Sequence, residues 1–389
     1  MSRNIFLFIS SQVISDIGDW IDRIAVLTLV YNINNSSVDM SFLSIMMLLP
    51  SLIFGVFAGK IVDIHNKKKI LILGDFLRSI LVFLIPFFKE YVFIIIFIVS
   101  TISIFYDTAK SSILPELVKK DRLRQVNSLS SSYSSLMMVL GPSISGFIIS
   151  KFDIKYCFYI DSLTFLLSMI MIFLIKLYKY EFKKDVELYR TEKISFIEGL
   201  KYINGNRIIF NTLAINTIVG LAAGMLNGLL IMYVYKFLKT DSQGYGSILT
   251  FKGLAMILTS LVLYKYLKNV SMDAIFKLGL IGLGISTTVF PLNTLFILAI
   301  LIQFFNGMFN ALYSISRTTI IQENCDKQYL GRTFSMNTML TNITSIISLA
   351  FGGISAEFFG VRAVLLIGGF IVLISGFVAR NKIHLELTS

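Results

Sequence analysis

Asp16, Asp19, Asp22 and Arg23 sit in the middle of an apolar run, Ile5 to Ile33, that is long enough to cross a bilayer. One charge at the centre of a membrane helix costs about 2.5 kcal/mol or more, so four in one span point to function. The chemistry such residues support is proton binding: a carboxylate whose exposure alternates can load and release a proton, and a neighbouring arginine tunes its charge. At 100° per residue, Gln12, Asp16, Asp19 and Arg23 fall within an arc of about 60°, with Asp22 to one side. A stripe of this kind must line a protein interior or a water-filled cavity. Asp19 and Arg23, at i and i+4, are placed to neutralise each other in part. The competing reading is a fixed ion-pair network within the helix or between lobes.

The elements that carry these residues belong to an integral membrane protein. Of 389 residues, 55% are hydrophobic and 15% charged, and the mean hydropathy is +0.77, which excludes an ordinary soluble enzyme. The net charge of +12 is attributed to basic loops on one side of a membrane, and nucleic acid is discounted as a partner. Two cysteines, Cys157 and Cys325, and two histidines, His65 and His384, give neither a disulfide framework nor a metal site, and no cofactor is indicated. The first run lacks a small-residue cleavage site and is expected to be retained.

Gly, Pro, charged and Asn-rich breaks divide the chain into twelve candidate spans: 5–33, 39–60, 69–88, 91–113, 125–150, 156–178, 207–235, 243–265, 273–290, 294–316, 330–357 and 361–379. The polar interval 179–206 separates an N-terminal six-helix lobe, 1–178, from a C-terminal one, 207–389. Within it, Ile194, Phe196, Ile197, Leu200 and Ile203 alternate with Lys and Glu, predicting a short amphipathic helix on the membrane surface. With both termini in the cytoplasm, the outer loops hold only Lys89, Lys151, Lys155, Lys236, Lys239 and Arg362. Arg23, Arg78 and Lys252 lie within spans, and every other Lys and Arg is inside.

An internal repeat supports the division. Lys110-Ser-Ser-Ile-Leu-Pro-Glu116 aligns with Arg317-Thr-Thr-Ile-Ile-Gln-Glu323, and after a small shift Arg122, Asn127, Ser135, Ile144 and Ser145 match Arg332, Asn337, Ser345, Ile354 and Ser355. Parallel repeats of six helices are the architecture of a rocking, two-lobed transporter with a central cavity.

Between spans 2 and 3 the chain reads Gly55-Val-Phe-Ala-Gly59-Lys-Ile-Val-Asp63-Ile-His-Asn-Lys67-Lys68-Lys69, in which Gly55 and Gly59 form a small-xxx-small face suited to close helix packing. This stretch resembles the signature loop of the major facilitator superfamily, G-x-x-x-D-R-x-G-R-R/K, at Gly59, Asp63, Lys67 and Lys68, with Ile64 and Asn66 departing from it. The resemblance implies a role for Asp63 in a cytoplasmic latch between lobes. In span 5, Gly141-Pro142-Ser-Ile-Ser145-Gly146 resembles the G-P-x-x-G-G motif of that superfamily's export branch, with Ser145 in place of one glycine; physically, it allows close packing and a local bend. Gln12-x-x-Ser15-x-x-Gly18-Asp19, Leu114-Pro-Glu-Leu-Val118 with Arg124-Gln-Val-Asn127, and Gln322 with Tyr329-Leu-Gly-Arg332-Thr-Phe-Ser335 are similar to macrolide-efflux-type members. What this implies is a multi-pass bacterial plasma-membrane exporter driven by the proton gradient.

Asp75, Arg78 and Asp107 are expected near the cytoplasmic face as gate or interlobe residues. Asp161 and Glu357 are expected near the outer face, where water makes charge cheap. Lys252 is deeper, and either faces the cavity or snorkels to an interface. Asp19 and Asp22, then Asp16, are the leading proton carriers, with Arg23, Gln12 and Lys252 as further cavity candidates. The expected partners are protons, the lipid bilayer and a small amphipathic substrate such as a drug, macrolide or siderophore; two lobes in one chain could work as a monomer. A lipid or lysolipid translocator is the alternative within transport, and a non-transporting receptor or scaffold the alternative outside it. With no G-x-x-x-x-G-K-[ST] loop, the expected energy source is a gradient and not ATP hydrolysed by this chain.

Overall fold

The computed structural model describes residues 3–117, 120–175, 196–266, 271–326 and 329–384, apart from some side chains within helices. Among them there is no strand, as expected where backbone hydrogen bonds must close within each membrane-spanning segment. Six helices come first: α1 (Arg3–Asn34), α2 (Ser37–Ile64), α3 (Lys67–Leu84), α4 (Val92–Leu117), α5 (Lys120–Lys151) and α6 (Lys155–Leu174). A ten-residue helix, α7 (Phe196–Gly205), follows. Six more complete the chain: α8 (Arg207–Lys236), α9 (Ser242–Tyr266), α10 (Met272–Val289), α11 (Phe296–Asn324), α12 (Leu330–Phe359) and α13 (Val361–His384). The twelve long helices answer to the twelve expected spans, and eight are apolar enough over their length to cross a membrane on composition alone. Bare outward faces carry residues such as Phe57, Phe173, Ile297 and Phe358, as a bilayer requires.

Local chemistry sets the helix ends. Ser36, Asn66 and Ser271 cap α2, α3 and α10, each accepting a hydrogen bond from the amide three residues on. Asn66 thus does at this turn what a helix start needs, where the superfamily loop has glycine. Gly360, at φ +83°, turns α12 directly into α13 in a conformation that a side chain would strain. At the α5–α6 turn, Asp153 accepts from the Lys155 amide at 3.0 Å and pairs with its ammonium at 3.4 Å; that backbone hydrogen bond, helped by the charge, holds the Asp153 carboxyl below the usual carboxylate range.

The helices gather into two compact units, Met1–Tyr180 with Val234–Thr250, and Glu181–Tyr233 with Phe251–Ser389. In the first, α1 and α6 run antiparallel. Phe8 shares a core with Ile172, Gly18 meets Asp161 and Thr164, and Leu29 lies by Ile154 and Phe158. α3 crosses the same helix in the same sense, with Asp75 at Ser168 and Ser79 at Ser162. The segment 234–250 lies on α1 and α5: the Thr28 and Tyr235 hydroxyls are 2.9 Å apart, and Tyr31 and Tyr235 meet edge-on with centroids 4.9 Å apart. In the second unit, glycines let α10 approach its neighbours closely, Gly279 and Gly282 at Tyr313 and Phe309 of α11, and Gly284 at Leu373 of α13.

The amphipathic helix forms, but its apolar side covers protein instead of lying free on lipid. Ile203 is buried with Ile209, Ile321, Cys325 and Met336, and Tyr202 stacks on Tyr329 at 4.1 Å. Tyr202 also accepts the Asp326 amide through its hydroxyl at 2.8 Å. The expected interval 179–206 falls outside the described residues as far as 195, Ile194 included.

Candidate functional site

α1 has two faces of different character. One carries Ser11, Ser15, Gly18 and Asp22, all buried; the other carries Gln12 and Asp16, half-buried, and Asp19 and Arg23, exposed. Residue spacing separates the two by about a quarter turn, which is why Asp22 leaves the stripe. No ion pair joins Asp19 to Arg23 among the described residues. Arg23 lies over the ring of Trp20, one turn back on α1, at 5.8 Å, and Asp16 pairs with Lys110 of α4 at 3.6 Å, so only Asp16 is answered from another helix.

The buried face of α1 meets α6. Gly18 is essential to the contact, because a Cβ there would overlap the Thr164 hydroxyl and a carboxylate oxygen of Asp161. Asp161 is therefore corrected from a water-bathed position near the outer face to the interior: it is 0% exposed. Its Oδ1 accepts from the Thr164 hydroxyl at 3.1 Å, and its Oδ2 has no hydrogen-bond partner. Asp22, 9% exposed, likewise has Oδ1 buried without a partner. Gly18→Ala is expected to cost about 1–3 kcal/mol by overpacking this contact. The measurement is thermal unfolding read by a thiol-reactive dye, since Cys157 and Cys325 are both buried and free.

Asp75 and Arg78, the gate or interlobe candidates of α3, are buried within the first unit at 0% and 2% exposure. Their side chains pair at 2.5 Å, the Ser168 hydroxyl donates to the second Asp75 oxygen at 2.8 Å, and the guanidinium lies between the Tyr106 and Phe165 rings at 4.0 and 4.3 Å. Asp107 is exposed on α4. Arg78 nevertheless lies within electrostatic range of Asp19, which links this interior pair to the stripe.

The latch residues divide. Lys68 donates to the Phe173 and Ile175 carbonyls at the C-terminal end of α6, both at 2.8 Å, satisfying groups that a helix end leaves open, and Lys67 donates to the Ser112 carbonyl in the last two turns of α4 at 3.2 Å. Gly59 and Gly55 do not pack: no described atom lies within 4 Å of where their Cβ would be, so the close neighbour expected there is absent among the described residues. The Asp63 side chain lies outside the described residues.

In the span-5 motif, Gly141 admits the Trp20 ring, and the Ser145 hydroxyl donates to the Ile21 carbonyl at 3.2 Å. Gly146 faces the Ser242 carbonyl of α9, and Gly246 faces the Pro142 carbonyl, so backbone meets backbone where either helix would otherwise carry a side chain. The motif thus seats α5 on two helices at once.

The second unit holds a polar centre not anticipated as such. Asn216 of α8 donates to Asn337 and Thr341 of α12, both at 2.8 Å, and its carbonyl accepts from Tyr313 at 2.6 Å and Arg317 at 2.5 Å on α11. Arg317 and Asn337 are repeat partners of Lys110 and Asn127, but Asn216 is one of three asparagines in α8, with Asn211 and Asn227, so its type alone does not single it out as their partner. Lys252 is half-buried on α9, its carbonyl against Gly307 of α11. A cavity of about 370 Å³ lined by Leu29, Lys89, Asp153, Lys155 and Tyr159 opens at the α5–α6 turn, two turns along α1 from Asp22.

Residues 1–387 match the family model described as transmembrane secretion effector. The chain is 26% identical to the uncharacterized MFS-type transporter YfiS of Bacillus subtilis, over 97% of this chain and 92% of that one. It is 22% identical to macrolide efflux protein A of Streptococcus pyogenes, over 94% and 92%. Among solved structures, a mutant form of the nucleoside transporter NupG superposes with a TM-score of 0.79 at 12% identity, covering 97% of this chain and 99% of that one. A membrane chain with no strand among its described residues, charged inside its first span and matched over almost its whole length, belongs to the transmembrane secretion effector family of major facilitator transporters.

Proposed function

We propose that this protein is a proton-coupled exporter of amphipathic small molecules in the bacterial plasma membrane, with both termini cytoplasmic, and that it works by alternating access between two six-helix lobes. The observation that carries the coupling is on α1: a buried carboxylate with an unpartnered oxygen, Asp22, lies one turn from the exposed carboxylate of Asp19. A group of this kind is costly to keep charged and dry, and a proton removes that cost when exposure changes. Asp19 takes the proton from water, Asp22 holds it, and Arg78 and Lys110 supply the positive charge within reach of Asp19. Export is supported by the likeness to macrolide efflux protein A and by the Gly-Pro motif of α5.

The test is substrate-dependent proton flux in proteoliposomes under an imposed pH gradient, with macrolides, siderophores, amphipathic dyes and lysolipids as probes. At least one class is expected to move protons in the direction opposite to itself. Asp19→Asn and Asp22→Asn are each expected to reduce that coupled flux at least tenfold. Wild-type coupling in both variants, or substrate movement with no proton movement, overturns the coupling reading; flux with lysolipids alone reassigns the substrate to lipid.

A further inference from the structure

Asp161 carries an assignment that neither the motifs nor the relatives supply. It stands on α6 opposite Gly18, and because α1 and α6 are antiparallel, one turn forward on α1 brings Asp22 beside the turn of α6 between Asp161 and Cys157. Helical side chains lean toward the N-terminus, so the Asp22 carboxyl leans back toward the level of Gly18, where Asp161 lies. The two carboxylates are within electrostatic range of each other, and Asp22 is within range of Cys157. Each has one oxygen that is buried and unpartnered. The groups facing them are Asp19 on α1, Cys157 and Thr164 on α6, and the Arg78 guanidinium on α3, which is already paired with Asp75.

We propose that Asp22 and Asp161 form one proton-binding site across the α1–α6 contact, with Asp19 as its opening to water. One carboxyl carries the O–H and the other accepts it, so the pair holds one negative charge in place of two, and both orphaned oxygens find a partner at once. On loading, Asp19 gives up its O–H proton and the pair gains it; on release the proton returns by the same route to water, and charge balances at each step. A metal ion fits poorly here, because a contact that has no room for a Cβ at Gly18 has none for an ion with its shell of oxygens. A proton requires no such volume.

This deepens the coupling reading and rests on it for its purpose, but its test does not depend on transport. The full chain in nanodiscs is followed by pH-difference infrared spectroscopy of the protonated-carboxyl carbonyl band, in wild type, Asp161→Asn, Asp22→Asn and the double variant. In the wild type the last carboxyl proton is expected to leave at a pH at least about one unit above that of either single variant, since strongly interacting groups titrate as a pair. The double variant is expected to lose the band assigned to both. Should Asp161→Asn fail to fold, Asp22→Asn reads the same coupling from the other side. Unchanged titration of the remaining carboxyl in the single variants overturns the pair, as does a wild-type spectrum identical to the double variant's. The coupling reading fails separately, through the flux assay, whatever the spectra say.

Discussion

Arg78→Met is expected to destabilise the protein by about 3–5 kcal/mol, because it leaves the Asp75 carboxylate buried and without its cation. The guanidinium also fills the space between Tyr106 and Phe165, and both ring contacts are lost with it. In a dye-monitored melt, in which Cys157 and Cys325 become reactive only on unfolding, this should lower Tm by roughly 4–6 °C. The double change Arg78→Met with Asp75→Asn removes both charges and leaves an amide that still accepts from Ser168, so it should recover most of the loss. Equal losses in the single and double variants would show that the rings and packing, and not the ion pair, hold this junction. The same pair bears on function through Asp19, which feels the Arg78 charge. Arg78→Met should therefore also weaken coupled flux in whatever protein remains folded.

The architecture was legible because membrane physics leaves few options: twelve apolar runs with polar breaks become twelve long helices whose ends lie within a few residues of the expected limits, apart from α11, which runs on to Asn324. The two faces of α1 were also readable, since helical periodicity alone separates Asp22 from Gln12, Asp16, Asp19 and Arg23. What periodicity does not give is the partner across the interface. Asp161 was placed near water by its distance from the start of α6, yet Gly18 on a helix far away in sequence makes the recess that buries it. Asp75 and Arg78 could be read as one turn apart, but the rings that enclose them come from α4 and α6. Arg23 is a different case, in which two local spacings compete on one helix and the Trp20 ring at i−3, not Asp19 at i−4, lies against the guanidinium. Local rules propose pairs, and tertiary packing decides among them.

A cross-link between Ser143→Cys and Thr250→Cys is expected to stop transport on oxidation and restore it on reduction. The two hydroxyls are 2.8 Å apart on α5 and the early part of α9, and Thr250 also donates to the Val139 carbonyl at 2.7 Å. Side chains this close bring their Cβ atoms near the separation that a disulfide needs. Nearby, Gly146 and Gly246 leave bare backbone against backbone, so the surface has few interlocking side chains to break when it parts. Helices α8 and α9 carry the segment 234–250 against α1 and α5 and then continue into the second compact unit. If access alternates, this seam must open in each cycle, because the helices that close it belong by sequence to the second half of the chain. Covalent closure should then reduce substrate flux at least tenfold, with each single cysteine near wild type, while buried Cys157 and Cys325 leave the parent protein insensitive to the oxidant. Wild-type flux through the cross-linked double variant would mean that the α5–α9 contact stays shut throughout transport, and that the moving surface lies elsewhere.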